Sequence, residues 1–316
     1  MARASFSSGV KGELARIYPE KDCCRLAELA AIARQDGTVT IGAAEDTGFY
    51  FSTEYSAIAR KVYRLVKDLF ALDATLTVSH QSRFKRRRHY VLRLEEGHAS
   101  TKALISLGLL TANHQILPGI KKDLVRNKCC GRAYLRGAFL GGGSVNSPKS
   151  DYHLELSAAN EKFAGDLVSL INRHDGLHAK ISQRRRSFSV YMKDSGQIAD
   201  FLTLIGAHSH LLEFENTRVL RGMKDKINRI VNLETANLGK TSYAASKQVS
   251  QILLIDKKIG LDTLEPSLAQ VARLRLENPD VNLKELGEIM TPPLGKSGVN
   301  HRLRKIGEIA DQLADA

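Results

Sequence analysis

The first two-thirds of this chain contain a long internal duplication, which limits the folds that the chain can adopt. The segment from Cys23 to Val39 recurs from Cys129 to Val145, with the cysteine pair, an alanine, a leucine, the closing glycine and a valine in register. Each copy has the composition of a closely packed helix that ends at a glycine and leads into a strand. The duplication therefore predicts two half-domains that pack helix against helix.

The correspondence continues beyond these two helices. Further alanines and leucines match between the halves: Ala59, Leu65, Leu72 and Ala74 correspond to Ala164, Leu170, Leu177 and Ala179. Each half reads as helix, strand pair, helix, strand pair, helix, and a period of about a hundred residues indicates fused half-domains rather than a solenoid. We predict an α+β fold in which residues 1–215 form a pseudo-twofold domain of two αββαββα halves, at about 20–110 and 125–212.

Charge and hydropathy narrow the class of partner. The 316-residue chain has a net charge of +13 and a pI near 9.6, which favours a polyanionic partner, nucleic acid before membrane. No apolar run approaches the ~20 residues of a membrane span, and the first residues lack the apolar core of a signal peptide. We expect a cytoplasmic, nucleoid-associated protein with no membrane partner.

The four cysteines form two adjacent pairs, Cys23-Cys24 and Cys129-Cys130. Neighbouring cysteines make strained bridges, so a disulfide framework is disfavoured. Four thiolates could converge on a zinc ion if the two helices pack together, but zinc ligands usually stand two or more residues apart, and cysteine also suits a small buried position. We predict no metal ion and no cofactor, with the zinc site as the less favoured alternative.

The C-terminal residues 251–316 have the pattern of three short helices. The first carries an apolar stripe and ends at Pro279, and the second, Leu283 to Met290, has Asn282 as its N-cap. A break at 291–295 precedes a third helix capped by Ser297. The side chains predicted to face inward are Leu268, Val271, Leu274, Leu276, Leu283, Leu286, Ile289, Val299, Leu303, Ile306 and Ile309. We predict a helix-turn-helix domain, preceded by a basic, partly helical linker over 216–250.

The third helix presents polar and cationic residues on its outer side. Residues near the start of a recognition helix reach base edges, so Asn300, His301 and Arg302 are candidates for base readout. Phosphate contacts are predicted for Lys296, Ser297, Arg304 and Lys305. The alternative is an ordinary three-helix bundle with a polar surface helix.

The duplicated helices, Leu29 to Gly37 and Leu135 to Gly143, resemble degenerate copies of the LAGLIDADG motif of homing endonucleases. In that family, an acidic residue before the final glycine of each helix holds the catalytic metal, and cleavage needs both carboxylates. The first copy keeps Asp36, whereas the second has Gly142. The resemblance therefore implies a nuclease scaffold that is not an enzyme, with no catalytic residue and Asp36 as a vestige.

Arginine clusters stand where the hairpin tips of the resembled fold would be. They comprise Arg86, Arg87, Arg88, Arg184, Arg185 and Arg186. In the homing endonucleases such tips reach along the duplex, so these residues are candidates for a second nucleic-acid contact through phosphates. The alternative is that they are solvated tips only.

Taken together, the two regions resemble the bacterial WhiA family. The resemblance rests on the Phe6-Ser7-Ser8 opening with Lys11, Glu13 and Leu14, the cysteine pairs, the segment 232–237 and the segment 296–303. It implies a DNA-binding transcription regulator of cell division or chromosome organisation, and of sporulation in filamentous actinobacteria. Its partners would be double-stranded DNA and, as a candidate, another transcription factor or RNA polymerase. Two other readings stay open, an active homing endonuclease and a protein- or RNA-binding adaptor.

Overall fold

The chain folds into two units, Met1–Arg221 and Gly222–Ala316. A computed structural model describes residues 5–41, 47–80, 88–184 and 187–314, with side chains in these ranges except at 41, 80, 184 and 237–241. Each unit has its own apolar core.

The first unit has the αββαββα order that the duplication predicts, so this prediction is confirmed. Helix α1 (Phe6–Leu14) precedes both halves. The first half contains α2 (Asp22–Asp36), β1 (Gly37–Ile41), β2 (Thr47–Thr53), α3 (Ser56–Phe70), β3 (Thr75–His80), β4 (Arg88–Leu94) and α4 (His98–Ser106). The second half contains α5 (Lys128–Gly142), β5 (Gly143–Val145), β6 (Leu154–Ala158), α6 (Glu161–Ile171), β7 (Lys180–Arg184), β8 (Ser187–Met192) and α7 (Ser195–Ile205).

Each half builds one four-stranded antiparallel sheet. The strand orders are β1-β2-β4-β3 and β5-β6-β8-β7, so the second strand of each first hairpin pairs with the second strand of the next. Alternate residues of the central strands, such as Phe49, Phe51 and Leu92, are buried. This period of two places one face of the sheet on the core that the helices complete.

Helices α2 and α5 pack against each other along their length. A Cβ atom at Gly137 would lie 2.3 Å from the backbone oxygen of Glu28, and one at Gly141 would lie 2.5 Å from Cβ of Gln35. No side chain fits at such distances, so glycine is what permits this close approach. The small residues that suggested helix-to-helix packing are therefore used for that purpose.

A buried ion-pair network joins the two central helices to α3. Glu28 is fully buried and pairs with Lys61 and with Arg136, whose Nη2 lies 2.9 Å from Glu28 Oε2. Lys61 also donates to the backbone oxygens of Leu14 and Ile17 at 3.1 and 2.5 Å. Burial lowers the pKa of Lys61, while Glu28 raises it. A buried charge of this kind is tolerated only because its partners are present.

Helix α1 is hydrogen-bonded to the first residues of the long helix α8 (His208–Lys258). The Glu13 carboxylate accepts from the backbone N–H of Ser209 at 2.7 Å and of His210 at 3.1 Å, and contacts Nδ1 of His210 at 2.5 Å. Burial alone would raise the pKa of Glu13, but the hydrogen bonds from His210 and Ser209 lower it overall. Glu13 thus acts as the N-terminal cap of α8.

The prediction of a partly helical linker over 216–250 is wrong, because α8 continues through it as one helix of 51 residues. The segment contains no proline to interrupt the helix. Arg221 in this segment donates to the backbone oxygens of Pro148 and Ser150 at 2.7 and 2.6 Å. Within the described ranges, no helix combines the length and the hydropathy that a membrane crossing requires.

The second unit contains the C-terminal part of α8 and three further helices. These are α9 (Pro266–Glu277), α10 (Leu283–Ile289) and α11 (Lys296–Ala314). Ile252 and Ile255 of α8 are fully buried among them. The three-helix pattern of the C-terminal sequence is therefore confirmed.

Candidate nucleic-acid interface

The apolar stripes of the three C-terminal helices meet in one core. Val271 of α9, Leu286 of α10 and Ile306 of α11 are almost fully buried there. Ile289 was expected to face inward, but it is 48% exposed, because the helix ends at this residue and the next one, Met290, is buried instead. Burial of these stripes fixes α11 on the unit and leaves its opposite face free.

Hydrogen bonds made by two side chains stabilise the connection between α9 and α10. The Asn282 side chain accepts from the backbone N–H groups of Lys284 and Glu285 at 3.0 and 3.1 Å, which confirms it as the N-cap of α10. Arg275 is 1% exposed, and its guanidinium donates to the backbone oxygens of the loop, that of Val281 at 2.6 Å. Burial lowers the pKa of Arg275.

The break between α10 and α11 is packed tightly. The backbone N–H of Leu294 donates to the backbone oxygen of Gly287 at 2.9 Å. A Cβ atom at position 287 would lie 2.0 Å from the Leu294 oxygen, so this close turn requires glycine. The turn sets where α11 begins and therefore which residues form its first turn.

Helix α11 begins at Lys296, two residues earlier than an N-cap at Ser297 would place it. The backbone N–H of Val299 donates to the oxygen of Gly295 at 3.1 Å, so Ser297 lies inside the first turn and is not the N-cap. Lys296 and Ser297 are both exposed at this end. The free N–H groups of a first helical turn attract phosphate, and an exposed lysine adds charge to that attraction.

The outer face of α11 carries the residues predicted for base readout. Successive helix residues stand about 100° apart, so His301 lies opposite the buried stripe of Val299, Leu303 and Ile306, with Asn300 and Arg302 on its two flanks. Asn300 and His301 are exposed, whereas Arg302 is half-buried. The three side chains are therefore adjacent but point in different directions.

The cations predicted for phosphate contact lie on the same helix. Arg304 and Lys305 are exposed, and Nε of Arg304 is 3.5 Å from Oε1 of Glu308. Both side chains of this pair are largely exposed, so the pair costs little to break when another anion approaches.

Of the two arginine clusters, the structure describes only Arg88 and the backbone of Arg184. Arg88 is the first residue of β4, is exposed and is in register with His80. Arg184 is the last residue of β7, in register with Ser187. Both therefore lie at the tips of second hairpins, as expected. Arg86, Arg87, Arg185 and Arg186 lie outside the described residues.

The C-terminal ends of α2 and α5 contain the remnant of a paired acidic site. Asp36 is half-buried at the end of α2, beside Lys11, whose Nζ is 3.3 Å from the backbone oxygen of Gly141. Burial raises the pKa of Asp36 to about 6, although Lys11 opposes this shift. Burial lowers the pKa of Lys11, and Asp36 raises it. An ammonium group thus lies beside the remaining carboxylate.

At the equivalent end of α5, an acidic side chain would have to displace the side chains that now lie against Gly142. A Cβ atom at Gly142 would lie 2.1 Å from Ser157 Oγ and 2.6 Å from Gln35 Oε1. Gln35 Nε2 donates to the Ser157 backbone oxygen at 2.8 Å, and the Ser157 hydroxyl lies 3.1 Å from the Gly142 oxygen. Neutral polar groups therefore occupy the position where a second carboxylate would be.

Lys11, Gln35 and Ser157 were not singled out as site residues from the sequence. Lys11 occurs in the opening motif quoted above, and Gln35 directly precedes Asp36, but neither position reveals its contact with the other half. Among the described residues, the group of three or more metal-ligating side chains that lie close together is Cys23, Cys24, Cys129 and Cys130, and Asp36 is not part of it.

Family models match three consecutive parts of the chain. Residues 22–110 match the WhiA N-terminal LAGLIDADG-like domain, residues 131–224 match the WhiA LAGLIDADG-like domain, and residues 227–310 match the WhiA C-terminal HTH domain. The first two segments cover most of the two halves of the first unit, and the third covers most of the three-helix region.

Full-length relatives and solved structures agree with these matches. Proteins described as probable cell division protein WhiA from Desulforudis audaxviator and Heliobacterium modesticaldum are 48% and 46% identical, each covering 98% of this chain and 97% of the relative. The crystal structure of full-length WhiA from Thermotoga maritima aligns with a TM-score of 0.60 at 25% identity, covering 98% of this chain and 99% of that one. The structure of an N-terminal LAGLIDADG domain of WhiA aligns over 65% of this chain and 91% of its own, with a TM-score of 0.51 and 22% identity, and supports the fold.

Proposed function

The chain belongs to the WhiA family, and from this premise we propose that it is a non-catalytic, sequence-specific DNA-binding protein that regulates transcription in bacterial cell division and chromosome organisation. The exposed polar and cationic face of α11 carries this proposal. It stands on a three-helix core within the segment that matches the WhiA HTH domain. Such a protein would act on the nucleoid, with another transcription factor or RNA polymerase as its candidate protein partner.

The residues of α11 have different roles in the proposal. Asn300, His301 and Arg302 contact base edges, where an amide can pair with adenine and a guanidinium with guanine. Lys296, Ser297, Arg304 and Lys305 contact phosphates and set the register on the duplex. The arginines at the hairpin tips add phosphate contacts that do not depend on sequence.

The absence of nuclease activity is supported by the unequal ends of α2 and α5. A paired-carboxylate mechanism needs two acidic groups that share the cleavage metals. Here Asp36 lies beside Lys11, and the other position is Gly142, where the side chains of Gln35 and Ser157 occupy the space next to the glycine. We therefore propose that Gly142 marks the lost catalytic position.

The direct test is a selection from a random double-stranded DNA pool with the full-length protein in the presence of Mg²⁺. We expect one enriched motif and no cleavage products. Cleaved DNA would contradict the non-catalytic proposal. Failure to enrich any motif, or equal competition by RNA, would favour the adaptor function instead.

Variants of α11 then assign the roles. Asn300→Ala should cost about 1–3 kcal/mol of discrimination at one base position, measured with mismatched operators. Lys305→Gln should weaken binding to all sequences and reduce the salt dependence by about one phosphate contact. Gln312→Ala, an exposed change on the same helix, is the matched control and should alter neither. Equal behaviour of all three variants would contradict recognition through α11.

A further inference from the structure

All four cysteines of the chain come together at the N-terminal ends of the paired helices. Cys23 and Cys24 are the second and third residues of α2, and Cys129 and Cys130 hold the same places in α5. Their four Sγ atoms lie within 4.8 Å of one another. The cluster is thus built by both half-domains, at the opposite ends of these helices from Asp36 and Gly142.

The spacing within one cysteine pair disfavours a metal ion, but the fold adds a second pair from the other helix. The thiols of α2 lie within 4.8 Å of the thiols of α5. Across the helix pair, Cys24 lies close to Cys129 and Cys130 lies close to Cys23, and the Sγ atoms of the neighbours Cys129 and Cys130 are 4.0 Å apart. Cys24 and Cys130 are buried and the other two are exposed, so each helix supplies one inner and one outer thiol.

The groups around the cluster are positively charged or positively polarised, which would offset the charge of four thiolates bound to a cation. The N-terminal ends of both helices point towards it, and neither end has a side-chain cap that would neutralise its free N–H groups. Lys21 interacts with Cys129, whose sulfur also accepts from the N–H of Cys130. Lys21 and Arg132 line, with Cys24 and Cys129, a cleft of about 540 Å³ that opens to solvent.

We propose that Cys23, Cys24, Cys129 and Cys130 bind one Zn²⁺ ion as a tetrahedral four-thiolate site. A Zn–S bond of about 2.3 Å places tetrahedral sulfurs about 3.8 Å apart, so thiols within 4.8 Å need to contract only slightly. Soft thiolates select zinc over hard cations such as Mg²⁺, and an iron–sulfur cluster distributes its four thiolates over two or four irons, which holds some of the sulfurs farther apart than one ion does. The 2+ charge of zinc balances two of the four negative thiolates. The positive charges of Lys21 and Arg132 balance the other two.

The site is structural, because four protein ligands leave no open position for substrate. It joins the first turns of α2 and α5 and so connects the two half-domains by metal bonds. Each helix has 15 residues, which places the ion about 20 Å from the Asp36 end. It is therefore far from the nuclease remnant in the same unit.

The test uses the full-length protein purified under reducing conditions without chelator. Elemental analysis should find about one zinc ion per chain, and replacement by Co²⁺ should give the visible bands of a tetrahedral tetrathiolate complex. The double variant Cys23→Ser/Cys129→Ser changes only the two exposed cysteines, so its fold can be verified by circular dichroism. It should lose both signals.

Asp22→Asn is the matched control, because it removes an exposed carboxylate next to Cys23 and should leave zinc and the cobalt spectrum unchanged. Full-length protein with four free thiols, no zinc and no cobalt bands would overturn the proposal. So would iron in place of zinc, or a mass that shows disulfide bridges after purification under reducing conditions. Retention of zinc by the double cysteine variant would also overturn it.

Discussion

Helices α2 and α5 are alike at their N-terminal ends and unlike at their C-terminal ends. At the N-terminal ends, the same two residues on each helix contribute to a single cluster of four thiols. At the C-terminal ends, Asp36 beside Lys11 is matched by Gly142 between Gln35 and Ser157. The comparison teaches that the packing of a symmetric scaffold does not require its chemical groups to be symmetric.

Among the variants of the α2–α5 helix pair, a substitution in the middle of the pair should lower the free energy of unfolding the most. Glu28→Ala leaves Lys61 and Arg136 without their buried partner, and breaking a buried ion pair in this way costs about 3–5 kcal/mol. The free energy of unfolding, measured by urea denaturation, should fall by that amount. Glu20→Gln, an exposed change just before α2, is the control. Equal stability of the two variants would show that the network does not support the packing.

Asp36, at the C-terminal end of α2, should make the stability of the folded protein depend on pH. The folded-state pKa of about 6 lies above the ordinary 3.8, so the folded protein binds this proton more tightly than the unfolded chain. This contribution to stability is complete below pH 4 or so and is lost as the pH rises through about 6. The loss amounts to at most about 3 kcal/mol.

Asp36→Asn removes this titration. The stability difference between the variant and the wild type should therefore grow in favour of the variant as the pH rises from about 4 to about 7. Urea denaturation across that range measures it. A difference that stays constant with pH would show that Asp36 ionises in the folded protein as it does in the unfolded chain.

Replacing Gly142 by an acidic residue should destabilise the protein and should not restore nuclease activity. Gly142→Asp forces Gln35 and Ser157 apart, and overpacking of this kind costs about 1–3 kcal/mol. Incubation of the variant with supercoiled DNA and Mg²⁺ should give no nicking. Gly165→Ala, where an added Cβ meets no atom within 4 Å, is the control for glycine replacement in the same unit. Cleavage by the variant would show that a single acidic residue separates this scaffold from a nuclease.

The sequence predicted the order of elements because duplication and local patterns depend on near neighbours. It placed Asn282 correctly as a cap for the same reason, since the cap and its N–H groups are two and three residues apart. It did not predict the contact of Lys11 with Gly141 or of Gln35 with Ser157, which join residues more than a hundred positions apart. Repeats show which residues correspond, but not which ones touch across the two halves.

The same limit applies to the cysteines and to α8. Spacing within one cysteine pair argued against a metal, whereas the cluster depends on a second pair from the other helix. The polar composition of 216–250 suggested a linker, but polar residues are also stable in an exposed helix that contains no proline. For α11, the apolar stripe predicted the outer face, but the helix starts two residues earlier than expected, directly after the tight turn between Gly287 and Leu294.

The hydrogen bonds between Glu13 and the start of α8 have a consequence for synthesis of the protein. They join residues 196 and 197 positions apart. In addition, the Ser7 hydroxyl accepts a hydrogen bond from the backbone N–H of Val145. On the ribosome, α1 emerges before the rest of the first unit but has no complete binding site until the residues after 208 follow. It must therefore wait for almost the whole of the first unit, and completion of that unit is a late, non-local step.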